Sequence, residues 1–475
     1  MPHSFKMNAV FQRWTDWMMR RLPNERQRLL AVTIVAGGAG GLAAVLFHRL
    51  IGFFESILID PANAAPGNWW IFWTIASPAV GGLVVGLGLT YLVPGAAGSG
   101  IPQVKVAYTR NFGLVRLKDT IGKFLLCSLQ IGSGASLGLE GPTVQICAGG
   151  SSLLARAARL SPKNCRRMAS VGMSAGIAAA FNAPIAAVTF TLEELIGDLD
   201  QTMLSGVIVA AALAAVVEHS VLRSTDPVFH LGRAYSLTSP SSLVWYALLG
   251  LLAAVVSVAF TDSLLWTRKM FRGIAVIPAW VKPGLGGLGV GCLAVVGLWF
   301  FHMNGIAGDP YKTLTLVLTG QTMLLPIGAM AAFCALKLAG TVLSYSSGGS
   351  GGIFAPSLFM GGMLGGAVGA IDVTVFHHTP EVIGAFAVVG MGAVFAGVIR
   401  APMTSILIIF EMTGGYGLVL PLMIANMSAF ALARYWRRTP VYEALLEQDG
   451  IFLSRRQEPR IQRTAPLLPP LGADK

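Results

Sequence analysis

Charged residues are scarce in this chain of 475 amino acids: they make up 12% of it, whereas soluble domains carry about 25%. Hydrophobic residues account for 54%, and the mean hydropathy is +0.67. This composition excludes an ordinary soluble domain, because so apolar a surface must face a lipid bilayer. Apolar runs recur over 29–54, 69–93, 207–217, 244–260, 284–301, 382–398 and 417–433. Several approach or exceed the roughly 20 residues that a membrane-spanning helix needs.

Cysteine and metal-ligand patterns are also sparse. The five cysteines are odd in number, scattered and mostly in apolar surroundings, so we interpret them as reduced core residues. The seven histidines form no H-E-x-x-H pattern and no Ser-His-Asp order. The sequence therefore predicts no metal site and no cofactor, and it carries no enzyme signature. No removable signal peptide is expected, because the N-terminal residues lack a short apolar segment followed by a small-residue cleavage site.

The net charge of +12 comes from short basic segments between the apolar runs. These segments are 13–28, 110–118, 156–167, 268–272 and 434–463. Such clusters are typical of the cytoplasmic loops of membrane proteins, so they predict no nucleic-acid partner. They predict instead a multi-pass protein of the cell (inner) membrane with both termini in the cytoplasm.

The chain divides into four parts by composition. Residues 1–28 have apolar residues at helical spacing among basic ones, which predicts an amphipathic cytoplasmic helix on the membrane surface. Residues 29–222 form a first membrane repeat and residues 243–438 a second, joined by a polar stretch. Residues 439–475 are soluble in character and predict a cytoplasmic C-terminal tail too short for a folded domain.

The division into repeats rests on two pairs of motifs. Segments 138–142 (G-L-E-G-P) and 352–356 (G-I-F-A-P) share the pattern G-x-x-x-P, with prolines 356 − 142 = 214 positions apart. Segments 182–184 (N-A-P) and 400–402 (R-A-P) are 402 − 184 = 218 positions apart, and a glutamate follows each proline by nine residues. Glycine-broken segments at matching places in two halves indicate a transporter and its binding site.

Glu140 is the acid inside the first of these motifs. A bare carboxylate in the middle of a membrane costs at least ~2.5 kcal/mol, so it is either protonated, paired with a lysine or functional. The neighbouring Gly138, Gly141 and Pro142 favour function, because they open a helix whose free N–H groups form an anion site. An ionised carboxylate can occupy that site and leave it when protonated.

Two other glycine-rich segments carry anion-suited groups. Ser99, in G-S-G-I-P at 98–102, either caps the helix that begins there or donates its hydroxyl to an anion. The run 348–352 is no phosphate loop, because no Lys-Ser/Thr pair follows it. It continues directly into apolar sequence, which argues against a flexible linker. We interpret it as a second helix start, with the amides of Ile353 and Phe354 facing the same point as Glu140.

Glu193 and Glu194 end the apolar run that follows the first N-A-P segment. Adjacent residues point about 100° apart on a helix, so we expect only one of them to face the interior. The other, like Glu411 in the second repeat, serves either the architecture or the surface.

Together, the three segments G-S-G-I-P, G-L-E-G-P and G-G-I-F-A-P resemble the CLC family of chloride channels and proton-coupled chloride antiporters. The resemblance covers residues from about 30 to 445. It implies an all-α polytopic membrane fold with two inverted-topology repeats, in a homodimer with one pore in each subunit. It also implies that Ser99, the amides of Ile353 and Phe354, and Tyr442 bind the anion, and that Glu140 is the gating and proton glutamate.

The same resemblance assigns internal proton transfer to Glu194, an acid that channel members tend to lack. Ser99 favours chloride over nitrate as the substrate. Two features depart from the family pattern: Leu139 stands where a basic residue is usual, and the C-terminal nucleotide-binding domains of many eukaryotic members are absent.

The sequence thus predicts a chloride/proton antiporter, with chloride ion and proton as its substrates. A passive voltage- or pH-gated chloride channel of the same family is the first alternative. A sodium-coupled symporter with another inverted-repeat fold would not explain three helix starts suited to anions. A polytopic membrane enzyme would need a nucleophile–base pair or a set of metal ligands, and the sequence shows neither pattern.

Overall fold

The computed structural model describes residues 20–453 except 64, 66, 198–200, 223–227, 230, 232–234, 236–241, 309 and 320–324. Most of the predicted N-terminal amphipathic helix (1–28) and the tail beyond 453 lie outside the described residues. Within the described part, regular structure is helical apart from two isolated β-bridges.

The first half contains nine helices in its described residues. They are α1 (Glu25–Leu58), α2 (Asp60–Asn63), α3 (Trp69–Leu87), α4 (Ile101–Arg110), α5 (Leu117–Gly132), α6 (Glu140–Ala157), α7 (Pro162–Phe181), α8 (Pro184–Phe190) and α9 (Gln201–Leu222). Helices α3 and α8 continue into π-helical turns, Gly88–Leu92 and Thr191–Ile196.

The described residues of the second half contain nine more. They are α10 (Ser242–Gly273), α11 (Lys282–Phe301), α12 (Tyr311–Leu318), α13 (Ile327–Ser346), α14 (Phe354–Phe376), α15 (Val382–Ile399), α16 (Pro402–Thr413), α17 (Val419–Trp436) and α18 (Val441–Gln448). Residues 441–448, which composition assigns to the tail, thus form a helix whose Val441, Tyr442 and Leu445 are buried.

Nine of the described helices are long and apolar enough to cross a membrane. Helix α15 is apolar on every side and almost completely buried, as expected for a helix at the centre of a bundle. The apolar runs of the sequence predict this and most of the other long helices. Of the five cysteines, four are buried, but Cys292 on α11 is exposed, so the prediction of a core position is wrong for that residue.

Helix packing repeats between the two halves. Helix α1 packs on α9 as α10 packs on α17, and α6 packs on α7 as α14 packs on α15. Two further pairs, α3 with α11 and α8 with α16, join each helix to its own counterpart in the other repeat. The predicted duplication is confirmed in the fold, and the counterpart pairs lie across its pseudo-twofold axis.

The α8–α16 pair displays the inversion through two glutamates. The Glu193 carboxylate accepts hydrogen bonds from the backbone N–H groups of residues 403 and 404, at 3.2 and 2.9 Å. Glu411 accepts from the N–H groups of residues 185 and 186, at 3.0 and 2.7 Å. Both relations have the same offset, 411 − 193 = 403 − 185 = 218. Each helix thus ends where its counterpart begins, which requires the two helices to run antiparallel.

These reciprocal caps assign Glu193 and Glu411 to the architecture. A carboxylate at a helix N-terminus satisfies N–H groups that have no intrahelical partner, and it interacts favourably with the helix dipole. The open question about Glu193 and Glu411 is therefore answered by their contacts: each carboxylate is engaged in holding the two repeats together.

We predict that Glu411→Ala lowers the stability of the protein by about 1 to 2 kcal/mol, because two N–H groups of α8 lose their acceptor. The loss is measured as a lower midpoint of thermal unfolding in detergent. Glu447→Ala, at an exposed position on α18, is the matched control and leaves the midpoint unchanged. A Glu411→Ala protein as stable as the wild type would contradict the capping role.

Candidate anion and proton site

Three glycine-rich loops meet at the centre of the structure, immediately before α4, α6 and α14. The loop before α4 pairs with the loop before α14: Gly98 N–H donates to Gly349 O at 2.9 Å, and Gly351 N–H donates to Gly98 O at 3.1 Å. The loop before α6 pairs with the same segment, because Gly138 and Gly352 exchange backbone hydrogen bonds of 2.8 and 2.6 Å. The three motifs that the sequence singles out are therefore one structural unit.

A buried lysine on α5 completes this unit. The Lys123 ammonium donates to the carbonyls of Ala96 and Gly98, at 2.8 and 2.6 Å, and to the Ser350 hydroxyl at 3.3 Å. The Ser350 hydroxyl in turn donates to Ala96 O at 2.7 Å. These bonds neutralise carbonyl dipoles around the loops, so that helix N–H groups dominate the field at the meeting point.

Glu140 is the first residue of α6 and is 1% exposed. Its Oε2 lies 3.4 Å from the amide nitrogen of Ala355, in the first turn of α14. Its Oε1 accepts a hydrogen bond from the Tyr311 phenol at 2.8 Å. A Cβ atom at position 138 would overlap the carboxylate, so Gly138 is required for this approach. The carboxylate therefore occupies the point at which the two helix starts converge.

Ser99 and Tyr442 bring two hydroxyl groups into the same region. Ser99 and Tyr442 are fully buried. Their hydroxyls lie near each other, and neither makes a hydrogen bond of ordinary geometry within the part of the chain that the structure describes. The Tyr442 phenol also interacts electrostatically with Glu140 and Glu194. A Cβ atom at Gly141 would collide with the Ser99 side chain, which places Ser99 against the start of α6. Buried hydroxyls without partners are rare and point to a ligand.

The structure does not give Ser99 the helix-capping role that the sequence leaves open. Helix α4 has Gly100 at its N-cap, and the Gly100 N–H group donates to the Gln103 side chain at 2.9 Å. The Ser99 hydroxyl is thereby left available for a bound anion.

Ile353 and Phe354 form the start of α14, as the sequence predicts. Ile353 is the N-cap and Phe354 the first helical residue, and both are buried. The Phe354 ring packs against Phe181, Phe395 and Tyr442, with ring centroids 5.7, 4.8 and 6.5 Å away. These contacts fix the helix start and the Tyr442 ring. The amide that contacts Glu140, however, is that of the next residue, Ala355.

Glu194 directly follows Glu193 in the π-helical turn that continues α8. Its carboxylate accepts a hydrogen bond from the Lys105 ammonium of α4 at 2.8 Å. Lys105 also contacts Glu443 of α18, at 3.2 Å. The side chain of Glu194 is 8% exposed, whereas that of Glu443 is 30% exposed. The expectation that one of the adjacent acids faces the interior is met by Glu194.

A cavity of about 460 Å³ opens beside the Ser99 loop. Its walls include Gly98, Gln103 and Tyr345, and its rim carries Arg268 and Arg272. Both arginines pair with Asp449 of α18, at 3.0 and 2.5 Å. The rim belongs to the basic cluster 268–272, which the sequence assigns to the cytoplasmic side. The cavity thus reaches Gly98, the residue that precedes Ser99.

Sequence reasoning missed four contributors to the site: the Ala355 amide, Tyr311, Lys105 and Lys123. Tyr311 and Lys105 meet their acids only through tertiary packing, across 171 and 89 residues of chain respectively. A lysine in the middle of a helix and a tyrosine at the start of one carry no local signal of a partner so distant. For Lys105, the sequence offers one indication of a buried partner: its charge stands among mostly apolar residues.

Comparisons with known proteins find similar chains over most of the length of this one. The family model described as voltage-gated chloride channel matches residues 81–434. The H(+)/Cl(-) exchange transporter ClcA of Salmonella arizonae is 29% identical over 93% of this chain and 94% of its own length. ClcA of Salmonella typhimurium is also 29% identical, over 90% of each chain.

Two solved structures share the fold. A slow cyanobacterial Cl⁻/H⁺ antiporter superimposes with a TM-score of 0.80 and 25% identity, covering 89% of this chain and 98% of that one. A eukaryotic CLC transporter superimposes with a TM-score of 0.73 and 21% identity, covering 89% of this chain and 74% of that one.

We predict that Lys105→Met destabilises the protein by about 3 to 5 kcal/mol, because it leaves the Glu194 charge buried without its partner. Adding Glu194→Gln to this variant recovers most of the loss, since the uncompensated charge is then gone. Thermal unfolding in detergent measures both changes, and Lys118→Met, at an exposed position on α5, is the control. Equal stability of the single and double variants would show that the ion pair is unimportant.

Proposed function

Because this chain belongs to the voltage-gated chloride channel (CLC) family, we propose that it is a proton-coupled chloride antiporter. The observation that carries the proposal is that two buried acids, Glu140 and Glu194, both lie close enough to the Tyr442 phenol to interact with it electrostatically, while the Tyr442 and Ser99 hydroxyls have no other partner by geometry in the described part of the chain. The relatives whose names describe Cl⁻/H⁺ exchange cover nearly the whole chain, which supports the same function.

In this proposal the central anion is held by neutral donors. The hydroxyls of Ser99 and Tyr442 and the amides of Ile353 and Phe354 donate to it, and the positive ends of the helix dipoles stabilise its charge. No fixed cation lies among these donors. A site of this kind binds chloride without trapping it, since a fixed positive charge would slow its release.

Protons use the two acids. The ionised Glu140 carboxylate occupies the outer position against Ala355 and competes there with chloride. When it takes up a proton, the carboxyl group loses its charge and leaves that position to the anion. Glu194 passes protons between the inner side and the centre, and its ion pair with Lys105 holds it at the protein's inner face.

A passive chloride channel is the second candidate. Leu139 favours it, because the usual basic residue beside the gate is missing and the gate could be held less firmly. The buried Glu194–Lys105 pair favours the exchanger, because a channel has no use for an internal proton donor at this depth. We also propose that the protein is not an enzyme.

The remaining expectations complete the proposal. The protein forms a homodimer with one pore in each subunit, lies in the cell (inner) membrane and has both termini in the cytoplasm. The chain divides into two membrane repeats, 29–222 and 243–438, and two cytoplasmic terminal segments, 1–28 and 439–475.

Reconstitution in liposomes tests exchange against passive conduction. With a chloride gradient, no pH gradient and the voltage clamped at zero by potassium and valinomycin, we predict that the wild-type protein moves protons uphill as chloride runs down. Glu140→Gln and Glu194→Gln still pass chloride but move no protons, because a neutral side chain carries none. Glu447→Gln is the control and behaves as the wild type does.

A steady wild-type chloride current whose reversal potential is independent of pH would establish the channel instead. Proton pumping that persists in Glu140→Gln would overturn the gate assignment. If it persists in Glu194→Gln alone, the internal proton donor is another residue.

Chloride binding tests the anion site separately. We predict that Ser99→Ala and Tyr442→Phe each weaken chloride affinity about tenfold or more, because a hydroxyl donor to an anion contributes roughly 1.5–3 kcal/mol. Calorimetric titration of the purified protein measures the affinity. The matched controls are Ser128→Ala and Tyr246→Phe, at buried positions engaged elsewhere. Wild-type affinity in both site variants would mean that chloride binds elsewhere.

A further inference from the structure

Tyr311 is the first residue of α12, and α12 is the second-repeat counterpart of α4. The offset between Tyr311 and Ser99, 311 − 99 = 212, is close to the repeat offset of 214. The two repeats thus each deliver one hydroxyl to the central region from the start of the same short helix. Ser99 faces the unpartnered Tyr442, whereas the Tyr311 phenol contacts the Glu140 carboxylate.

The phenol is held in a defined orientation. Its ring packs edge-on against Phe229, with centroids 5.3 Å apart and planes at 87°. Phe229 is itself buried and tied by its N–H group to Met412 O at 2.9 Å. The hydroxyl is therefore aimed at Glu140 Oε1 by packing that Glu140 does not provide.

The hydrogen bond from the Tyr311 phenol to the Glu140 carboxylate is shorter than the contact from the Ala355 amide. It measures 2.8 Å, against 3.4 Å from the Ala355 amide. A hydrogen bond to a charged group contributes about twice as much as one between neutral groups. Leu139 brings no charge to this position, and the Tyr311 phenol is a neutral donor that stabilises the ionised carboxylate there.

We propose that Tyr311 is a positioning residue that holds the ionised Glu140 carboxylate in the outer anion position. This rests on the proposed function, in which carboxylate and chloride compete for that position. Each increment of stabilisation that Tyr311 gives the carboxylate then weakens the apparent affinity for chloride by the same factor. Tyr311 thereby sets how much chloride is needed to displace the gate.

If Tyr311 had only a structural role, a different result would be expected. A partly buried phenol usually finds a hydrogen-bond partner, and Glu140 is an acceptor within reach. In that case the removal of the hydroxyl affects stability, and any effect on chloride binding is independent of Glu140. The two roles are therefore separated by measuring chloride affinity with and without the carboxylate.

The experiment titrates chloride into four purified proteins by calorimetry: wild type, Tyr311→Phe, Glu140→Ala and the double variant. We expect Tyr311→Phe to bind chloride about tenfold more tightly than the wild type, because the competing carboxylate is held less firmly. In the Glu140→Ala background the same change has no effect, because no carboxylate remains to be held. In liposomes, Tyr311→Phe also moves chloride faster than the wild type.

Tyr235→Phe is the matched control. The Tyr235 phenol donates to Leu318 O, at the other end of α12, at 2.7 Å, so its loss perturbs the same helix without touching the gate. We expect wild-type chloride affinity in this control. If Tyr311→Phe does not yield folded protein, Tyr311→Leu replaces it and is judged by the same comparison.

Unchanged affinity in Tyr311→Phe, or an equal change in both backgrounds, would overturn the positioning role. If Glu140→Ala binds chloride more tightly but Tyr311→Phe does not, this inference alone fails and the gate assignment stands. If Glu140→Ala leaves affinity unchanged, the carboxylate does not compete with chloride, and the gate assignment fails together with the role of Tyr311.

Discussion

The site depends on how the backbone of its glycine-rich loops is satisfied at membrane depth. Lipid offers no hydrogen bonds, so irregular backbone survives there only inside the protein. The loops before α4, α6 and α14 meet this requirement by pairing with one another, through Gly98, Gly138 and Gly352 among others, and through the Lys123 ammonium. Because their bonds are internal, the helix N–H groups beyond them point at one place and remain available for an anion.

Duplication gives the same element two uses. In α8 and α16, the glutamate nine residues after the proline caps the opposite helix, which locks the repeats together. In the first repeat an additional acid follows directly, and adjacent side chains on a helix point in different directions, so that Glu194 contacts Lys105 while Glu193 caps α16. The additional acid is thereby available for the proposed proton transfer without loss of the structural contact.

The sequence predicts those parts of the site whose signal is local. Glu140 and Ser99 are polar residues flanked by glycine in apolar surroundings, and that pattern needs no tertiary information. It also predicts the long helices and the duplication. It cannot predict Lys105 or Tyr311 as partners of the two acids, because those pairings arise only when helices far apart in the chain are packed. Composition also does not predict that α18 packs against the membrane helices. Its segment is polar on one side, and Tyr442 is buried through tertiary contacts such as that with the Phe354 ring.

The partners of the two acids explain how they can differ in behaviour. Glu194 is bound to a lysine, and an ion pair in a nearly buried site resists the movement of either charge. Glu140 is bound by an amide and a phenol, both neutral donors that a chloride ion can use equally well. In the proposed mechanism, exchange of the carboxylate for chloride therefore replaces one negative group by another at these two donors. In that mechanism the two donors serve the acid and the anion in turn, and this shared position is the physical basis on which we propose that movement of one is tied to movement of the other.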